Sequence, residues 1–341
     1  MADPSLTQIQ LMPEPTYHRL IDHRQIGQTG TKGAQAMVDR RQAIFTFGGL
    51  LIATSVGALP ACSAKQRSNK DISLAAVRDR LAEIEAANGG RLGVAVLDTV
   101  TGASISYRGN ERFPMCSTFK FLLAGAMLDR CDKGLERLDR VIAFKASDLV
   151  EHSPVTEKFV GEPGMAIGAL CEATMTTSDN TAANLLLAAL GGPQAVTAFV
   201  RTIDDPYTRL DRIEPWLNDV PPGDLRDTTT PLAMLGNLDR LLIRSTLRPA
   251  SRKLLTDWLV ANQTGDTRLR AGLPAEWRVG DKTGTWHTDT VNDIGIIWPT
   301  GRPPILVTSY LAGSNKPLDA NNAVHAEVGR AIAEAVQSDS G

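Results

Sequence analysis

The segment Phe113-Pro-Met-Cys-Ser117-Thr-Phe-Lys120 holds a serine and a lysine at a spacing that could support nucleophilic catalysis. If the segment opens a helix, Ser117 and Lys120 lie on one face and their side chains can meet. A serine hydroxyl needs a neighbour to take its proton, and burial lowers the pKa of a lysine enough for that task. The apolar run 121–128 predicts that the helix is buried. The alternative is a helix N-cap followed by a solvated lysine, because S-x-x-K arises by chance about once in a chain of this length.

A second polar cluster, Ser178-Asp179-Asn180, precedes another apolar helical run. Ser, Asp and Asn are preferred helix N-caps, so the cluster predicts a helix start. A catalytic interpretation stands beside this one: Ser178 would relay a proton to a leaving group, and Asn180 would hold a substrate carbonyl.

The third motif, Lys282-Thr283-Gly284-Thr285, lies on a predicted strand. A glycine weakens a strand unless something must approach its backbone closely, and a substrate lying along an edge strand would do so. Lys282 would then attract an anionic substrate or tune Ser178. The alternative is an exposed strand end.

A loop around Glu214 supplies a candidate general base. Glu214 could activate a water molecule that Asn218 helps to hold, and an ion pair between Arg212 and Asp227 would close the loop. The alternative is a surface loop with ordinary charges.

The predicted elements that position these residues are strands near both ends of the folded region and helices between them. This order predicts an α+β fold, in which an antiparallel sheet flanked by helices is built from both termini and an all-helical domain is inserted. The predicted sheet domain comprises residues 71–115 and 262–341, and the helical domain residues 116–261. The expected strands are 91–98, 103–107, 278–285, 293–298 and 304–311, and the expected terminal helices are 75–87 and 320–338.

Composition excludes several other functions. The 341 residues are 43% hydrophobic and carry a formal net charge of −2, without the basic excess of a nucleic-acid-binding protein. The five histidines show no H-x-H or H-E-x-x-H spacing, and no C-x-x-C is present, so we expect neither a metal site nor a cofactor.

Residues 1–62 are predicted to be an N-terminal extension and export signal. Arg40-Arg41 precede the apolar run 43–59, which resembles a twin-arginine signal, and Met37 would then be the true start. An uncleaved membrane anchor is the alternative. Leu59-Pro-Ala-Cys62 also resembles a lipoprotein box, so the chain would be either lipid-anchored at Cys62 or cleaved and released. Either way we expect a periplasmic or otherwise exported protein.

The motifs S-x-x-K, S-D-N and K-T-G each occur once, in that order, with an E-x-x-L-N loop between the last two. Together they resemble a class A serine β-lactamase from about residue 74 onwards. The resemblance implies hydrolysis of the β-lactam amide bond of antibiotics through a serine acyl-enzyme, which confers resistance. It also implies small-molecule β-lactam substrates, no cofactor and a monomer.

The resemblance also assigns roles. Ser117 would be acylated, and its N–H and that of Thr285 would form the oxyanion hole. Lys120, or Glu214 acting through water, would activate Ser117; Ser178 would protonate the ring nitrogen; Glu214 and Asn218 would direct the hydrolytic water. The implied substrate-binding residues are Asn180, Lys282, Thr283, Gly284, Thr285, Arg268 and His152.

Two of these assignments have structural alternatives. Arg268 could be a solvated helix-end charge, and His152 a surface residue with a packing role only.

Three structural details follow from the resemblance. The Glu214–Pro215 bond is expected to be cis, Arg212 to pair with Asp227, and the cysteines to be free thiols. Cys116 faces Trp286, where some relatives have the partner cysteine, and Ala124 stands at the usual partner position of Cys171; Cys131 is likewise expected to be free.

Three other functions compete. A penicillin-binding D,D-peptidase shares the three core motifs, and a β-lactam sensor becomes acylated and stays so; Glu214 argues against both. A plain esterase has less support because no G-x-S-x-G is present.

Overall fold

The structure is a computed structural model that describes residues 74–338, all of which belong to one compact unit. The predicted export signal, the start at Met37 and the lipidation site Cys62 lie outside the described residues.

The regular elements follow the order expected from the sequence, with strands near both ends and helices between them. In chain order they are α1 Leu74–Asn88, β1 Arg91–Asp98, β2 Ser104–Tyr107, β3 Phe113–Pro114, α2 Phe119–Asp132, β4 Val141–Phe144, β5 Gly161–Ala166, α3 Ile167–Thr176, α4 Asn180–Leu190, α5 Pro193–Thr202, β6 Thr228–Thr229, α6 Pro231–Leu238, α7 Pro249–Val260, β7 Arg278–Trp286, β8 Thr290–Trp298, β9 Ile305–Ala312 and α8 Leu318–Ser338.

One five-stranded antiparallel sheet joins the two ends of the described chain, with strand order β2-β1-β9-β8-β7. This confirms the α+β fold class. The strands β7, β8 and β9 are buried along most of their length, because helices cover both faces of the sheet. The K-T-G-T strand β7 lies at the sheet edge, which leaves one side of its backbone open to a ligand.

Two apolar cores flank the sheet. The smaller core packs α1 and α8 against one face of the sheet, with Leu81 and Val328 at its centre. The larger core surrounds α2, of which all residues from Phe119 to Leu128 are buried. Each fully buried large apolar side chain contributes about 1.5–3 kcal/mol, so α2 is held firmly in the middle of the protein. This confirms the buried helix predicted after Ser117.

The inserted region is not purely helical. The strands β4 and β5 form a hairpin, and β6 pairs with β3, where Phe113 lies opposite Thr229. The sequence did not reveal these short strands, because their residues alternate poorly and include Gly161, Pro163 and Gly164. The division at 115/116 and 261/262 stays a prediction.

Within residues 74–338 no single helix is long and apolar enough to span a membrane. The helices α4 and α5 reach that length and composition only as a pair, and they are bent by 69° relative to each other.

Candidate active site

The nucleophile candidate Ser117 lies in a 3₁₀ turn, Cys116–Thr118, directly before α2. The α-helix itself begins at Phe119, two residues later than Ser117, so the sequence placed the helix start slightly too early. Cys116 has a φ of 44°, a left-handed conformation that costs a non-glycine residue energy and that recurs at functional sites. The strained residue turns the chain so that Ser117 lines a cleft while its neighbours Cys116 and Thr118 are buried.

Lys120 is fully buried beneath the cleft. Its ammonium donates hydrogen bonds to Ser178 O at 2.7 Å, Ser178 Oγ at 3.2 Å and Asn180 Oδ1 at 2.5 Å. Burial lowers the pKa of Lys120, and the nearby carboxylate of Glu214 opposes that shift. Among residues 74–338 the Ser117 hydroxyl is not a hydrogen-bond partner of Lys120, so the direct contact that the sequence suggested is not formed here.

Glu214 lies on the other side of Lys120. Its Oε1 is 3.2 Å from Lys120 Nζ, and both side chains are fully buried. Asn218 Nδ2 donates to Glu214 Oε2 at 2.6 Å. The Glu214–Pro215 bond is cis, as expected. Among residues 74–338, Asn218 Oδ1 has no hydrogen-bond donor and Glu214 Oε1 has only the ion-pair contact with Lys120, so both oxygens can accept a further hydrogen bond.

Asn184 fixes the backbone of Glu214, a role that sequence reasoning missed. Its Oδ1 accepts from Glu214 N and its Nδ2 donates to Glu214 O, both at 2.9 Å. A signal was present, because Asn180 and Asn184 are four residues apart and therefore lie on one face of α4.

Ser178 lies between two lysines. Its Oγ accepts from Lys120 Nζ at 3.2 Å and from Lys282 Nζ at 3.1 Å, and its φ is 60°. Lys282 is fully buried, and its pKa is lowered well below the usual value, first by burial and then by the charge of Lys120. The helix-cap interpretation of this motif is also correct, because Asp179 accepts from Ala182 N at the start of α4.

Asn180 and His152 form one wall of the cleft. Asn180 Nδ2 donates to Glu151 O at 2.9 Å, which leaves its Oδ1 directed at Lys120. His152 is exposed and has a φ of 62°, and its Nε2 is 3.0 Å from Thr177 O.

The opposite wall is the edge strand β7. A Cβ added to Gly284 would lie 2.8 Å from Met115 O and 3.2 Å from Ser117 N. Only glycine therefore lets this strand approach so closely to the 3₁₀ turn Cys116–Thr118, which we call the nucleophile turn. Thr283 Oγ1 is 2.5 Å from the hydroxyl of Thr264, a cleft residue that the sequence did not reveal.

Arg268 is nearly fully buried behind β7 rather than solvated at a helix end. Its Nη1 donates to Gly284 O at 3.0 Å and its Nη2 to Thr285 Oγ1 at 2.7 Å, while Asn322 Oδ1 accepts from its Nε at 2.9 Å. Burial lowers the pKa of Arg268. The guanidinium therefore places a positive charge directly beneath Thr285.

The predicted ion pair in the Glu214 loop is confirmed. Arg212 Nε is 2.6 Å from Asp227 Oδ2, and Asp227 Oδ1 accepts from the backbone N–H groups of Asp211 and Arg212. The pair joins the two ends of the loop that carries Glu214.

The predicted residues share one cleft of about 440 Å³, apart from Lys120 and Lys282, which lie beneath it. The predicted residues that line the cleft are Ser117, His152, Ser178, Asn180, Glu214, Asn218, Arg268, Thr283, Gly284 and Thr285. Trp286 and His287 also line it, with ring centroids 4.2 Å apart.

The three cysteines in the described chain are free, as expected. Cys116 and Cys171 are fully buried, and burial raises the pKa of both thiols. Among residues 74–338 no group of three or more His, Cys, Asp or Glu side chains is arranged to hold a metal ion.

A serine on a strained turn, a buried lysine and a buried carboxylate at one cleft are typical of serine enzymes that transfer acyl groups. The profile described as the β-lactamase enzyme family matches residues 76–336. The chain is 45% identical over 296 residues to the β-lactamase L2 of Stenotrophomonas maltophilia, covering 85% of this chain and 97% of that protein. It is also 45% identical over 259 residues to the carbapenem-hydrolysing β-lactamase KPC of Klebsiella oxytoca, covering 76% and 88% of the two chains.

Solved structures of β-lactamases are also similar to this chain. An ancestral class A β-lactamase (GNCA) matches with 64% identity and a TM-score of 0.75, covering 76% of this chain and 99% of that one. A β-lactamase from Xanthomonas campestris matches with 52% identity and a TM-score of 0.75, covering 76% and 97%. The chain belongs to the class A serine β-lactamases, enzymes that hydrolyse the β-lactam amide bond through a serine acyl-enzyme and confer antibiotic resistance.

Proposed function

We propose that this chain opens β-lactam rings by acylation of Ser117 and releases the product by a water that Glu214 activates. The observation that carries the proposal is the position of Glu214: a buried carboxylate 3.2 Å from Lys120, at the same cleft as Ser117. A hydrolase needs such a group to remove the acyl chain from the serine.

In the acylation step, Ser117 Oγ attacks the ring carbonyl and loses its proton to Lys120, or to Glu214 through water. The contact between Lys120 and Glu214 supports both routes, because it places the two candidate bases side by side at the cleft that holds Ser117. The N–H groups of Ser117 and Thr285 stabilise the negative charge on the carbonyl oxygen, and each such donor typically contributes roughly 2.7–4 kcal/mol.

Ser178 protonates the nitrogen as the amide bond breaks. Its oxygen accepts hydrogen bonds from two lysines, Lys120 and Lys282, so its own O–H is free to point into the cleft. The lowered pKa of both lysines supports this role, because a lysine that loses its proton easily can return one to Ser178.

In the deacylation step, Glu214 and Asn218 hold and activate the water. The support is the pair of oxygens, Glu214 Oε1 and Asn218 Oδ1, which accept no well-oriented hydrogen bond from the described residues. A water between them would donate to both and would face the acylated Ser117.

The substrate carboxylate binds along β7. Lys282, Thr283 and Thr285 supply donors there, with Arg268 reinforcing Thr285 from behind. Gly284 lets the substrate lie against the strand, Asn180 holds the side-chain amide of the substrate, and His152 contacts its side chain at the cleft mouth.

The test mixes the purified protein with a chromogenic cephalosporin and compares wild type with Glu214→Ala. We expect sustained turnover in the wild type and a burst of one equivalent in the variant. Glu151→Ala is the matched control, because Glu151 is a carboxylate at the same cleft without these contacts. A single burst from the wild type would instead indicate a sensor protein, and no reaction with the β-lactam would refute the proposal.

We further propose that the protein is exported and, as the family resemblance implies, that it acts as a monomer. The support is the twin-arginine-like segment around Arg40-Arg41 and, for lipid anchoring, Cys62 in the lipoprotein-like box. Mass spectrometry of the protein recovered from the periplasm tests export and lipid anchoring. A mature N-terminus at Cys62 with a fatty-acyl mass supports anchoring, and an unmodified N-terminus supports release. A mature form that retains residues 1–36 would contradict a start at Met37. Analytical ultracentrifugation of the purified protein tests whether it is a monomer.

A further inference from the structure

Asn292, on β8, connects the sheet to the nucleophile turn. Its side chain is fully buried, and its Nδ2 donates to Pro114 O at 2.9 Å and to Met115 O at 3.1 Å. The orientation of the amide follows from these contacts, because a flipped amide would place its oxygen against two carbonyl oxygens. Both donors of one side chain therefore hold the two residues that precede Cys116 and Ser117.

The side-chain oxygen of Asn292 indicates the role of these hydrogen bonds. Asn292 Oδ1 is buried and has no hydrogen-bond partner in the part of the chain that the structure describes. A buried acceptor without a partner is unfavourable, and an apolar side chain of the same shape would avoid it. The residue therefore fits a positioning role better than a packing role.

Asn292 lies directly opposite Gly284 in the ladder between β7 and β8. Opposed residues of an antiparallel pair point to the same face of the sheet. On this face Gly284 has no side chain, and the nucleophile turn occupies the free space, with Ser117 N 3.2 Å from the position of an added Cβ. Gly284 thus leaves room for the turn, and Asn292 holds the turn in place by hydrogen bonds.

Arg268 holds the backbone of Asn292. Arg268 Nη1 donates to Asn292 O at 2.7 Å and to Gly284 O at 3.0 Å. One continuous set of hydrogen bonds therefore runs from Thr285, through Arg268 and Asn292, to the backbone just before Ser117.

We propose that Asn292 is a positioning residue that sets the distance between the backbone N–H groups of Ser117 and Thr285, the two donors of the oxyanion hole. This inference rests on the proposed acylation of Ser117. Asn292 itself does not touch the substrate; it acts by holding the turn against β7.

The test compares Asn292→Ala with Asn237→Ala. Asn237 is the matched control, because it is also a fully buried asparagine. Its Nδ2 donates to Asp205 Oδ2 at 2.6 Å, and its Oδ1 has no partner among residues 74–338. Both variants should lower Tm. Two further measurements separate positioning from stability: kcat/KM for a chromogenic cephalosporin, and the Ki of phenylboronic acid, which forms a tetrahedral adduct with a nucleophilic serine.

We expect Asn292→Ala to lower kcat/KM by about 10- to 100-fold, the scale of a small misplacement of catalytic groups, and to raise Ki by a similar factor. Asn237→Ala should change both by less than about twofold, the contrast that a purely structural role would not produce. Asn292→Ser, which keeps one donor, should fall between wild type and Asn292→Ala, and it serves as the test if the alanine variant does not fold.

Two outcomes would overturn the inference in distinguishable ways. If the wild type hydrolyses the cephalosporin but Asn292→Ala and Asn292→Ser keep its kcat/KM and Ki, the positioning role is wrong and the proposed function stands. If the wild type neither reacts with the cephalosporin nor binds phenylboronic acid, the proposed function fails and the inference fails with it.

Discussion

The ammonium of Lys120 lies 3.2 Å from Oε1 of Glu214, and neither side chain is exposed to solvent. Removing two charges from water is costly, and their mutual attraction repays the cost only with good geometry and further hydrogen bonds. Here those bonds come from Ser178, Asn180 and Asn218. The two candidate bases, Lys120 and Glu214, are therefore coupled, and we expect a substitution of one to alter the electrostatic environment of the other.

Replacing Lys120 by methionine should impair both activity and stability. The substitution leaves the carboxylate of Glu214 buried without its partner, which costs about 3–5 kcal/mol in free energy of unfolding. We also expect acylation to slow by about 10²- to 10⁴-fold, the usual contribution of a general base. Lys133→Met is the control, because this exposed lysine pairs with Asp129 at the surface. Pre-steady-state bursts and urea unfolding measure the two effects; an unchanged burst rate would exclude Lys120 as a base.

Removing Arg212 should loosen the loop that carries Glu214. Arg212→Ala leaves Asp227 buried without its ion-pair partner, so we expect a loss of about 3 kcal/mol in stability and slower deacylation. The neighbouring pair of Arg209 and Asp211 is more exposed, and Arg209→Ala should cost less than about 1 kcal/mol. Urea unfolding and the rate of acyl-enzyme decay check the contrast, and equal losses in the two variants would show that the Arg212 pair does not clamp the loop.

Adding a methyl group at Gly284 should displace β7 from the nucleophile turn. The new Cβ would lie 2.8 Å from the carbonyl oxygen of Met115, so strand or turn must move, and we expect kcat/KM to fall by about 10²-fold. Gly236→Ala is the control, because its Cβ would meet only the flexible end of Arg240. Steady-state kinetics of the two variants measure the difference. A Gly284→Ala enzyme with wild-type kcat/KM would mean that the close approach is unnecessary.

Acid should destabilise the protein through His325. This ring is fully buried, accepts from Ser309 at Nδ1 and donates to Val291 O at Nε2, and burial lowers its pKa to about 3. The unfolded chain binds a proton below about pH 6.5 and the folded chain does not, so stability is lost as the pH falls from 6.5 towards 3. Between pH 6.5 and 5 the loss is about 2 kcal/mol.

Urea unfolding of wild type and His325→Gln at both pH values isolates this contribution. The glutamine can keep both hydrogen bonds but does not titrate, so the variant should lack the 2 kcal/mol of additional acid sensitivity. Identical pH dependence in the two proteins would show that His325 is not responsible.

The sequence predicted what depends on local pattern. The strands at both ends and the buried helix after Ser117 follow from hydrophobic periodicity. The cis bond at Pro215 and the pair of Arg212 with Asp227 were expected from the family resemblance of the loop that holds them. The Cys116, Cys131 and Cys171 thiols are free, as expected. For Cys116 and Cys171 the resemblance supplied the reason, because the positions of their partners in relatives hold no cysteine here.

The sequence did not predict contacts that arise only when distant segments meet. Lys120 was expected to contact Ser117, its neighbour on the helix, but its hydrogen bonds go to Ser178 and Asn180, which are 58 and 60 residues further along the chain. Asn292 carries no motif of its own, and its contact with Pro114 spans 178 residues. The left-handed conformation of Cys116 and the close approach of β7 to this residue likewise have no local pattern in the sequence.

The sheet that joins the first and last strands of the described residues also has a consequence for how the protein is made. The strand β1 pairs along its whole length with β9, and just beyond it the Thr99 hydroxyl donates to the backbone carbonyl of Pro304, 205 residues further along the chain. Closing so long a loop is entropically costly and slows folding. During synthesis β1 therefore stays unpaired on that side until β9 has also left the ribosome, and until then this edge of β1 is open to aggregation.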